Sequence, residues 1–300
     1  MTIKHLVISG GGPLGLRYLG ALEKLEKENF WKVDNIESIY GTSVGSMIGA
    51  FICLKYDWET LNKYIIERPW NEAFKMNAKQ IVDSYYNKGL FDKKLVEIIF
   101  KPLLQGKNIE MNVTLKEFYD FSKIDFHIFT FELNNFETIE LSHITHPNLS
   151  LLQALTMSSA FPGIFMPTII DKKCYIDGGV MSNYPINQCL RDHTNKDEIL
   201  GIKISYDKDN NSFKNAEITE ELSLLEYVMC FTTNAMNFIR STVKLENIDN
   251  TIECNMTENC SNFLDFFQQT ITNQELRQQW IQMGEEDATK FLSKNVSVVL

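Results

Sequence analysis

The first 55 residues contain two successive patterns of strand, tight turn and helix, and glycine dominates both turns. The apolar, β-branched run Ile3 to Ser9 predicts a strand. After three glycines and a proline, leucines recur every third residue from Leu16 to Leu25, which predicts a helix packed on a sheet. A second strand, Ile36 to Tyr40, leads through a short turn into an apolar helix over Val44 to Ile52, which is expected to be central. This alternation predicts an α/β fold with a mainly parallel central sheet flanked by helices.

The remaining sequence adds further strands and helices. Residues 57–122 predict helices joined by turns. Two alternating runs within Asp125 to Ser142, joined by Asn134-Asn135, predict a hairpin, and a short strand pair is expected around Asp171 to Lys173. The later predicted elements are a strand over Glu198 to Ser205, a helix over Glu217 to Thr242, a strand over Thr251 to Cys254 and a helix over Asn273 to Lys294.

Composition limits the classes of partner. A net charge of -10 argues against binding of nucleic acid, which needs clustered lysine and arginine. The amino terminus lacks the features of a secretory signal, and the longest apolar stretch, Val44 to Leu54, is far shorter than the roughly 20 residues that span a bilayer. We therefore expect a cytoplasmic protein whose membrane contact, if any, is peripheral. The six cysteines have no C-x-x-C spacing, so neither a zinc site nor a disulfide framework is predicted.

The pentapeptide Gly41-Thr42-Ser43-Val44-Gly45 matches the pattern G-x-S-x-G. In this pattern a serine lies on a sharp turn between a strand and a helix, and its hydroxyl is exposed at the carboxyl edge of the sheet. The positive end of the following helix favours negative charge there. Ser43 is therefore a candidate nucleophile. The alternative is a tight β-to-α turn that needs glycine at positions 41 and 45 for packing alone.

A serine nucleophile needs a base, and the sequence offers two candidates. His193 follows Asp177 in the chain order of a Ser-Asp-His triad, but its neighbours are those of a solvated loop. Asp177 ends an apolar strand and precedes Gly178 and Gly179, which leave its carboxylate unobstructed. We favour Asp177 as the base, although Asp-Gly is also common in ordinary turns.

The run Gly10-Gly-Gly-Pro-Leu-Gly15 supplies backbone N–H groups at a predicted helix start, where they can hold an oxyanion. Since proline has no N–H, the donors must come from Gly11, Gly12 or Leu14. The run also fits G-x-G-x-x-G, the fingerprint of dinucleotide-binding domains. That interpretation requires an acidic residue at the end of the second strand, and the second strand instead enters the serine turn.

Together, GGGPLG, GTSVG and DGG resemble the motifs of the patatin-like phospholipase family, and the stretches Ser158 to Pro167 and Tyr175 to Pro185 are similar to those around its aspartate. The resemblance implies a patatin-like α/β fold with a nucleophile elbow and the hydrolysis of fatty acyl esters of phospholipids or related lipids. It also implies a Ser-Asp dyad that needs no metal or cofactor. Ser43 is then the nucleophile, Asp177 the base and the turn from Gly10 to Gly12 the oxyanion hole.

One position departs from the family pattern, which usually has arginine or lysine where this chain has Leu14. Arg17, one helical turn further on, is the candidate to replace that cation. Supporting roles are expected for the glycines that flank the motifs, Gly15, Gly41, Gly45, Gly178 and Gly179. The departure at Leu14 leaves an alternative function open, that of a catalytically weakened lipid-binding or regulatory protein with the same fold.

The carboxyl-terminal third carries no family signal. We expect residues 1–206 to form the catalytic core and residues 207–300 a helical elaboration packed on the same domain. The polar stretch Asp207 to Asn215 predicts an exposed loop, either a plain connection or a lid. The segment Phe263 to Ile271 is rich in aromatic residues, as is the preceding helix. The aromatic segment and the preceding helix could each contact a lipid interface or pack in the core. Their helical spacing of apolar residues favours the core. The residues concerned in the preceding helix are Met229, Phe231, Met236 and Phe238.

Overall fold

A computed structural model describes residues 2–73, 78–206, 220, 222–256 and 263–296. Its strands are β1 His5–Ile8, β2 Ser38–Thr42, β3 Gly89–Phe91, β4 Asp125–Glu132, β5 Glu137–Leu141, β6 Gly163–Phe165, β7 Thr168–Ile170, β8 Lys173–Asp177, β9 Ile199–Tyr206 and β10 Thr251–Met256. Its α-helices are α1 Gly15–Lys27, α2 Val44–Cys53, α3 Trp58–Glu67, α4 Trp70–Ala73, α5 Ala78–Asn87, α6 Lys94–Gly106, α7 Leu115–Ser122, α8 Leu151–Ser158, α9 Ile186–Asp192, α10 Leu224–Thr242, α11 Phe263–Thr272 and α12 Gln274–Val296.

Eight strands form one central sheet in the order β10-β9-β1-β2-β4-β8-β7, with β5 also paired to β4. The strands from β10 to β4 are parallel to one another, and β5, β8 and β7 run antiparallel to their neighbours. The predicted α/β fold with a mainly parallel sheet is therefore confirmed. The chain adopts it because buried, β-branched strands alternate with helices that cover the sheet.

The strand register gathers the motifs at one edge of the sheet. Ile8, at the end of β1, pairs with Gly41 near the end of β2, so the glycine run and the serine turn leave the sheet side by side. On the other side of β2, Thr42 pairs with Phe129 of β4. The next residue of β4 pairs with Asp177, the last residue of β8. Asp177 thus arrives at the same edge from the opposite direction.

Most predicted elements are found within a few residues of their expected bounds. The hairpin is formed by β4 and β5, and the short pair by β7 and β8. Among the described residues, the main omission is a second sheet in which β3 pairs in parallel with β6. It was missed because each strand has three residues and depends on a distant partner rather than on a local pattern.

The long helix α10 begins at Leu224, so the predicted start at Glu217 is wrong for the described residues that precede it. The hydroxyl of Ser223 accepts the amide hydrogen of Glu226, and the Glu226 side chain accepts that of Ser223. This capping box fixes the first turn of the helix. Glu217 itself and the loop predicted over Asp207 to Asn215 lie outside the described residues.

Helix α12 packs closely along α1. A methyl group on Gly20 would lie 1.9 Å from the carbonyl oxygen of Ile281, and one on Gly284 would lie 1.9 Å from that of Arg17, so only glycine fits at either position. The buried Arg17 guanidinium also pairs with Asp287 of α12 at 2.5 Å. No described helix is both long enough and apolar enough to cross a membrane.

Candidate active site

Ser43 occupies a sharp turn between β2 and α2. Its backbone has φ 55° and ψ −126°, a conformation that costs a residue with a side chain about 1–3 kcal/mol. The turn passes so close to β1 that a methyl group on Gly45 would lie 2.2 Å from the carbonyl oxygen of Ile8. A methyl group on Gly41 would lie 2.7 Å from the carbonyl oxygen of Gly45. Both flanking glycines are therefore required by packing, and the strained serine is held at the edge of the sheet.

The Ser43 hydroxyl donates to Oδ2 of Asp177 at 2.6 Å. The second carboxylate oxygen accepts the amide hydrogen of Gly179 at 2.7 Å, which fixes the rotation of the carboxylate. Asp177 is buried, whereas Ser43 is partly exposed. The structure thus brings the two predicted residues into direct contact. Gly178 fits tightly beneath them, because a methyl group there would lie 2.3 Å from the carbonyl oxygen of Phe129.

The surroundings of Asp177 act on its acidity in opposite directions. Burial raises the pKa of the carboxyl group, and this effect is the largest. The hydrogen bonds from Ser43 and Gly179 and the positive charge of Arg240 lower the pKa. The pKa of Asp177 is still raised above its ordinary value, but by less than burial alone would raise it. A carboxylate with a raised pKa is a stronger base towards a hydroxyl group, provided that it remains ionised at the working pH.

Within the glycine run, hydrogen bonds decide which amides are available. The amide of Gly10 donates to the carbonyl oxygen of Asn183 at 2.9 Å, and that of Leu14 donates to Gly11 at 3.2 Å. The amide of Gly10, which the family resemblance placed in the oxyanion hole, and that of Leu14, an alternative donor from the sequence, are therefore both engaged, contrary to those two predictions. Among the described residues, the amides of Gly11 and Gly12 have no acceptor, and both residues are partly exposed. They remain the candidate donors, and Gly12 has φ 55°, which favours glycine.

Three residues that sequence analysis did not single out join the motifs. The Ser158 hydroxyl accepts the amide hydrogen of Ser43 at 2.9 Å and donates to the carbonyl oxygen of Phe129 at 2.6 Å. The Thr42 hydroxyl donates to the carbonyl oxygen of Ser182 at 2.7 Å, and Asn183 binds Gly10 as described above. The signal for them was present, since Ser158, Ser182 and Asn183 all lie in the two longer stretches of the resemblance.

The proposed replacement of the missing cation by Arg17 is wrong. The Arg17 side chain points to α12 and pairs with Asp287, so it does not reach the glycine turn. Leu14 is buried in the main hydrophobic core. Gly15 packs against Val44, to which a methyl group would approach within 2.4 Å, so it supports the junction of the two turns.

None of the five histidines, all of which are described, binds Ser43. His193 stacks on His5 and lies 3.3 Å from the hydroxyl of Ser38, at the opposite end of β2 from the serine turn. A triad through His193 is therefore excluded by position.

One described cluster has the residue types of a metal site, namely His127, Glu140 and Asp192. Burial lowers the pKa of His127, but its contacts with Asp125 and Glu140, at 3.2 and 2.6 Å, outweigh burial and raise the pKa to about 9. The protonated ring has no lone pair for a metal. Arg191 supplies a second cation to Glu140 and Asp192. The cluster therefore already pairs three carboxylates with two basic side chains of the protein itself.

Comparisons with known proteins agree with the geometry. The model of the family described as Patatin-like phospholipase matches residues 6–190, which include all three motifs. The chain is 28% identical over 211 residues to an uncharacterized protein of Acanthamoeba polyphaga mimivirus, covering 70% of this chain and 68% of that one. It is 28% identical over 200 residues to a probable lipid hydrolase of Invertebrate iridescent virus 6, covering 65% and 66%. The solved structure of VipD from Legionella pneumophila has a similar fold, with a TM-score of 0.56 and 17% identity over 97% of this chain and 67% of that one.

Proposed function

Because this chain belongs to the patatin-like phospholipase family, we propose that it is a serine acyl hydrolase that cleaves fatty acyl esters of phospholipids or neutral lipids. Ser43 transfers its proton to Asp177 and attacks the ester carbonyl carbon, and the amides of Gly11 and Gly12 bind the resulting oxyanion. Collapse of this intermediate breaks the ester bond, and Asp177 returns the proton to the leaving alcohol. Water, deprotonated by Asp177, then attacks the acyl-enzyme, and Asp177 returns this proton to the Ser43 oxygen as the fatty acid leaves.

The contact of 2.6 Å between the Ser43 hydroxyl and Asp177 carries this proposal. A base in direct contact with the hydroxyl makes the nucleophile without help from a metal ion. The neighbouring amides of Gly11 and Gly12 lie at the start of a helical segment, where backbone dipoles favour negative charge. A proton acceptor, a nucleophile and oxyanion donors are the groups that ester hydrolysis requires.

Hydrolysis by the purified protein tests the proposal. We expect release of nitrophenol from short-chain nitrophenyl esters and of fatty acid from phospholipid vesicles, with rates unchanged by a metal chelator. Loss of activity with the chelator and recovery with a divalent ion would contradict the metal-independent mechanism. Failure to hydrolyse either substrate would instead favour the lipid-binding alternative.

We also propose that α10 contacts the lipid surface. The apolar residues of this helix divide between two faces. Met229 and Met236 are buried, whereas Phe231 and Phe238 are 65% and 72% exposed, so the expectation of core packing is correct only for the methionines. The buried face packs beside the turn that follows Asp177. The exposed phenylalanines, seven residues apart, therefore share the outward face of a helix whose opposite face packs beside the turn that follows Asp177.

Replacing both Phe231 and Phe238 by serine should weaken binding to phosphatidylcholine vesicles at least about tenfold. Full burial of a phenylalanine side chain contributes about 1.5–3 kcal/mol, and an interface recovers part of this. Co-sedimentation with vesicles measures the partition. The matched control is Ile144→Ser, which removes a side chain that is 70% exposed in the loop after β5. Equal binding by the double variant and this control would rule out α10 as the lipid contact.

A further inference from the structure

Arg240, near the end of α10, reaches the turn that follows the candidate base. Its Nε donates to the carbonyl oxygen of Gly179. A methyl group on Gly179 would lie 2.8 Å from Nη2 of Arg240 and 2.8 Å from Oδ1 of Asp177. The guanidinium and the carboxylate therefore face the same side of one Cα atom. Arg240 lies outside residues 6–190, the part of the chain that matches the family model.

Apolar packing holds this part of α10 in place. Met236 is buried in a cluster with Phe131, Ile176 and Val180, and Ile239 packs against the same cluster. Met236, Ile239 and Arg240 are spaced by three and four residues and so lie on one face of the helix. Nη1 of Arg240 also lies 3.4 Å from the side-chain oxygen of Asn237. The guanidinium therefore contacts Gly179 from a helix that packs against Ile176, on the same strand as Asp177.

Gly179 connects the arginine to the base. Its amide donates to Oδ1 of Asp177 at 2.7 Å, and its carbonyl oxygen accepts from Arg240. A displaced Gly179 would release the carboxylate to rotate away from Ser43. Among the described residues, Arg240 is also the charged side chain whose field acts on Asp177, because the other groups acting on the carboxylate are the neutral Ser43 hydroxyl and Gly179 amide.

We propose that Arg240 is a positioning residue of the dyad, which holds the Gly178-Gly179 turn and places a positive charge beside the Asp177 carboxylate. This inference rests on the proposed function for its kinetic test. It adds a residue from the carboxyl-terminal third to a site whose other parts lie within the matched region. The dyad is then complete only when α10 is packed in place.

The pH profile of kcat/KM distinguishes this role from a merely structural one. Removal of the charge in Arg240→Gln or Arg240→Met should raise the pKa of Asp177, because burial then acts with less opposition. The base would be protonated at higher pH, so the acid limb should move to higher pH by about one unit. Arg240→Lys should restore the limb, since it keeps the charge. The loss of rate should appear in kcat more than in KM.

Two controls make the result decisive. Lys244→Gln removes one exposed positive charge from the segment just after α10 and should leave the profile unchanged. Arg240→Met keeps a long apolar stem against the packed face and provides a second neutral variant if Arg240→Gln does not fold. An acid limb that does not move in a folded neutral variant, or that moves equally in Lys244→Gln, would overturn the proposal.

A second readout does not require turnover. Carbon NMR of protein labelled at the aspartate carboxyl groups, with Asp177→Asn used for assignment, follows the titration of Asp177 directly. A higher titration midpoint in the neutral variants would support the role of Arg240 even in a protein without activity, in which case the proposed function alone fails. An unchanged midpoint in an active enzyme would reject the role of Arg240 and leave the proposed function standing.

Discussion

Ser43→Ala should lower kcat for ester hydrolysis by at least about 10⁴-fold, because the covalent route is lost with the hydroxyl. The substitution removes one oxygen atom and keeps the φ of 55° that the turn imposes, so its effect on folding should be small by comparison. Residual hydrolysis would come from binding and the amides of Gly11 and Gly12 alone. Release of fatty acid from vesicles and of nitrophenol from short-chain esters should fall together.

The control for this prediction is Ser293→Ala, which removes an exposed serine hydroxyl from α12. Its activity should equal that of the wild type. Thermal unfolding of both variants checks that the fold is kept. A folded Ser43→Ala protein that retains more than about one hundredth of the wild-type kcat would show that another residue attacks the ester, since loss of a catalytic nucleophile leaves far less.

Asp177→Asn should have the second largest effect, a loss of about 10³- to 10⁴-fold in kcat, the scale of a lost general base. Asparagine has the same shape, and its side-chain oxygen can still accept the amide hydrogen of Gly179. Its NH₂ group then faces Ser43 and cannot accept the hydroxyl proton. The nucleophile stays in place but is no longer activated, so kcat should fall while KM changes little.

Asp171→Asn is the matched control, because it makes the same change at an exposed turn between β7 and β8. It should retain full activity. A loss in Asp177→Asn that hydroxylamine or another small external nucleophile restored, or a loss no larger than that in the control, would reopen the search for the base. Because no histidine binds Ser43, that search would turn to water and to Glu or Asp residues elsewhere.

The three sequence motifs were predictable because each is local. A serine between two close-packed glycines and an aspartate before two more are constrained by backbone within a few residues, so the sequence pattern carries the geometry. The alternation of strands and helices places Ser43 at the carboxyl edge of the parallel strands, but it does not predict that Asp177 meets it there, because β8 runs antiparallel to β4. Their chemical roles remain predictions until the substitutions above are measured.

Long-range pairing set the limit of what the sequence predicted. The spacing of Arg17 gives its position on α1 but not its partner, and Asp287 lies 270 residues further along the chain. The family resemblance grouped Gly10 with Gly11 and Gly12, but the amide of Gly10 donates to the carbonyl oxygen of Asn183, 173 residues further along the chain. Neither pairing could be predicted from the residues around Arg17 or Gly10, because each partner is distant in the chain.

Helix α10 shows the same limit in another way. Its methionines and phenylalanines each recur after seven residues, and helical spacing favoured core packing for all four without separating the buried pair from the exposed pair. Packing against Phe131, Ile176 and Val180 selects the face with Met236. Arg240 was not recognised, because its partner is a backbone carbonyl group, which no sequence motif marks.

The close packing of α1 against α12 also sets the order in which the parts of a newly made chain can pack together. A ribosome makes the glycine run, α1 and the serine turn early, whereas α12 is the last described helix to be synthesised. Until then Arg17 lacks the Asp287 carboxylate, and loss of one partner from a buried ion pair costs about 3–5 kcal/mol. The nucleophile is thus present in the nascent chain well before the helix that supports it. The proposed active site is therefore supported in full only after α12 has been synthesised and packed on α1.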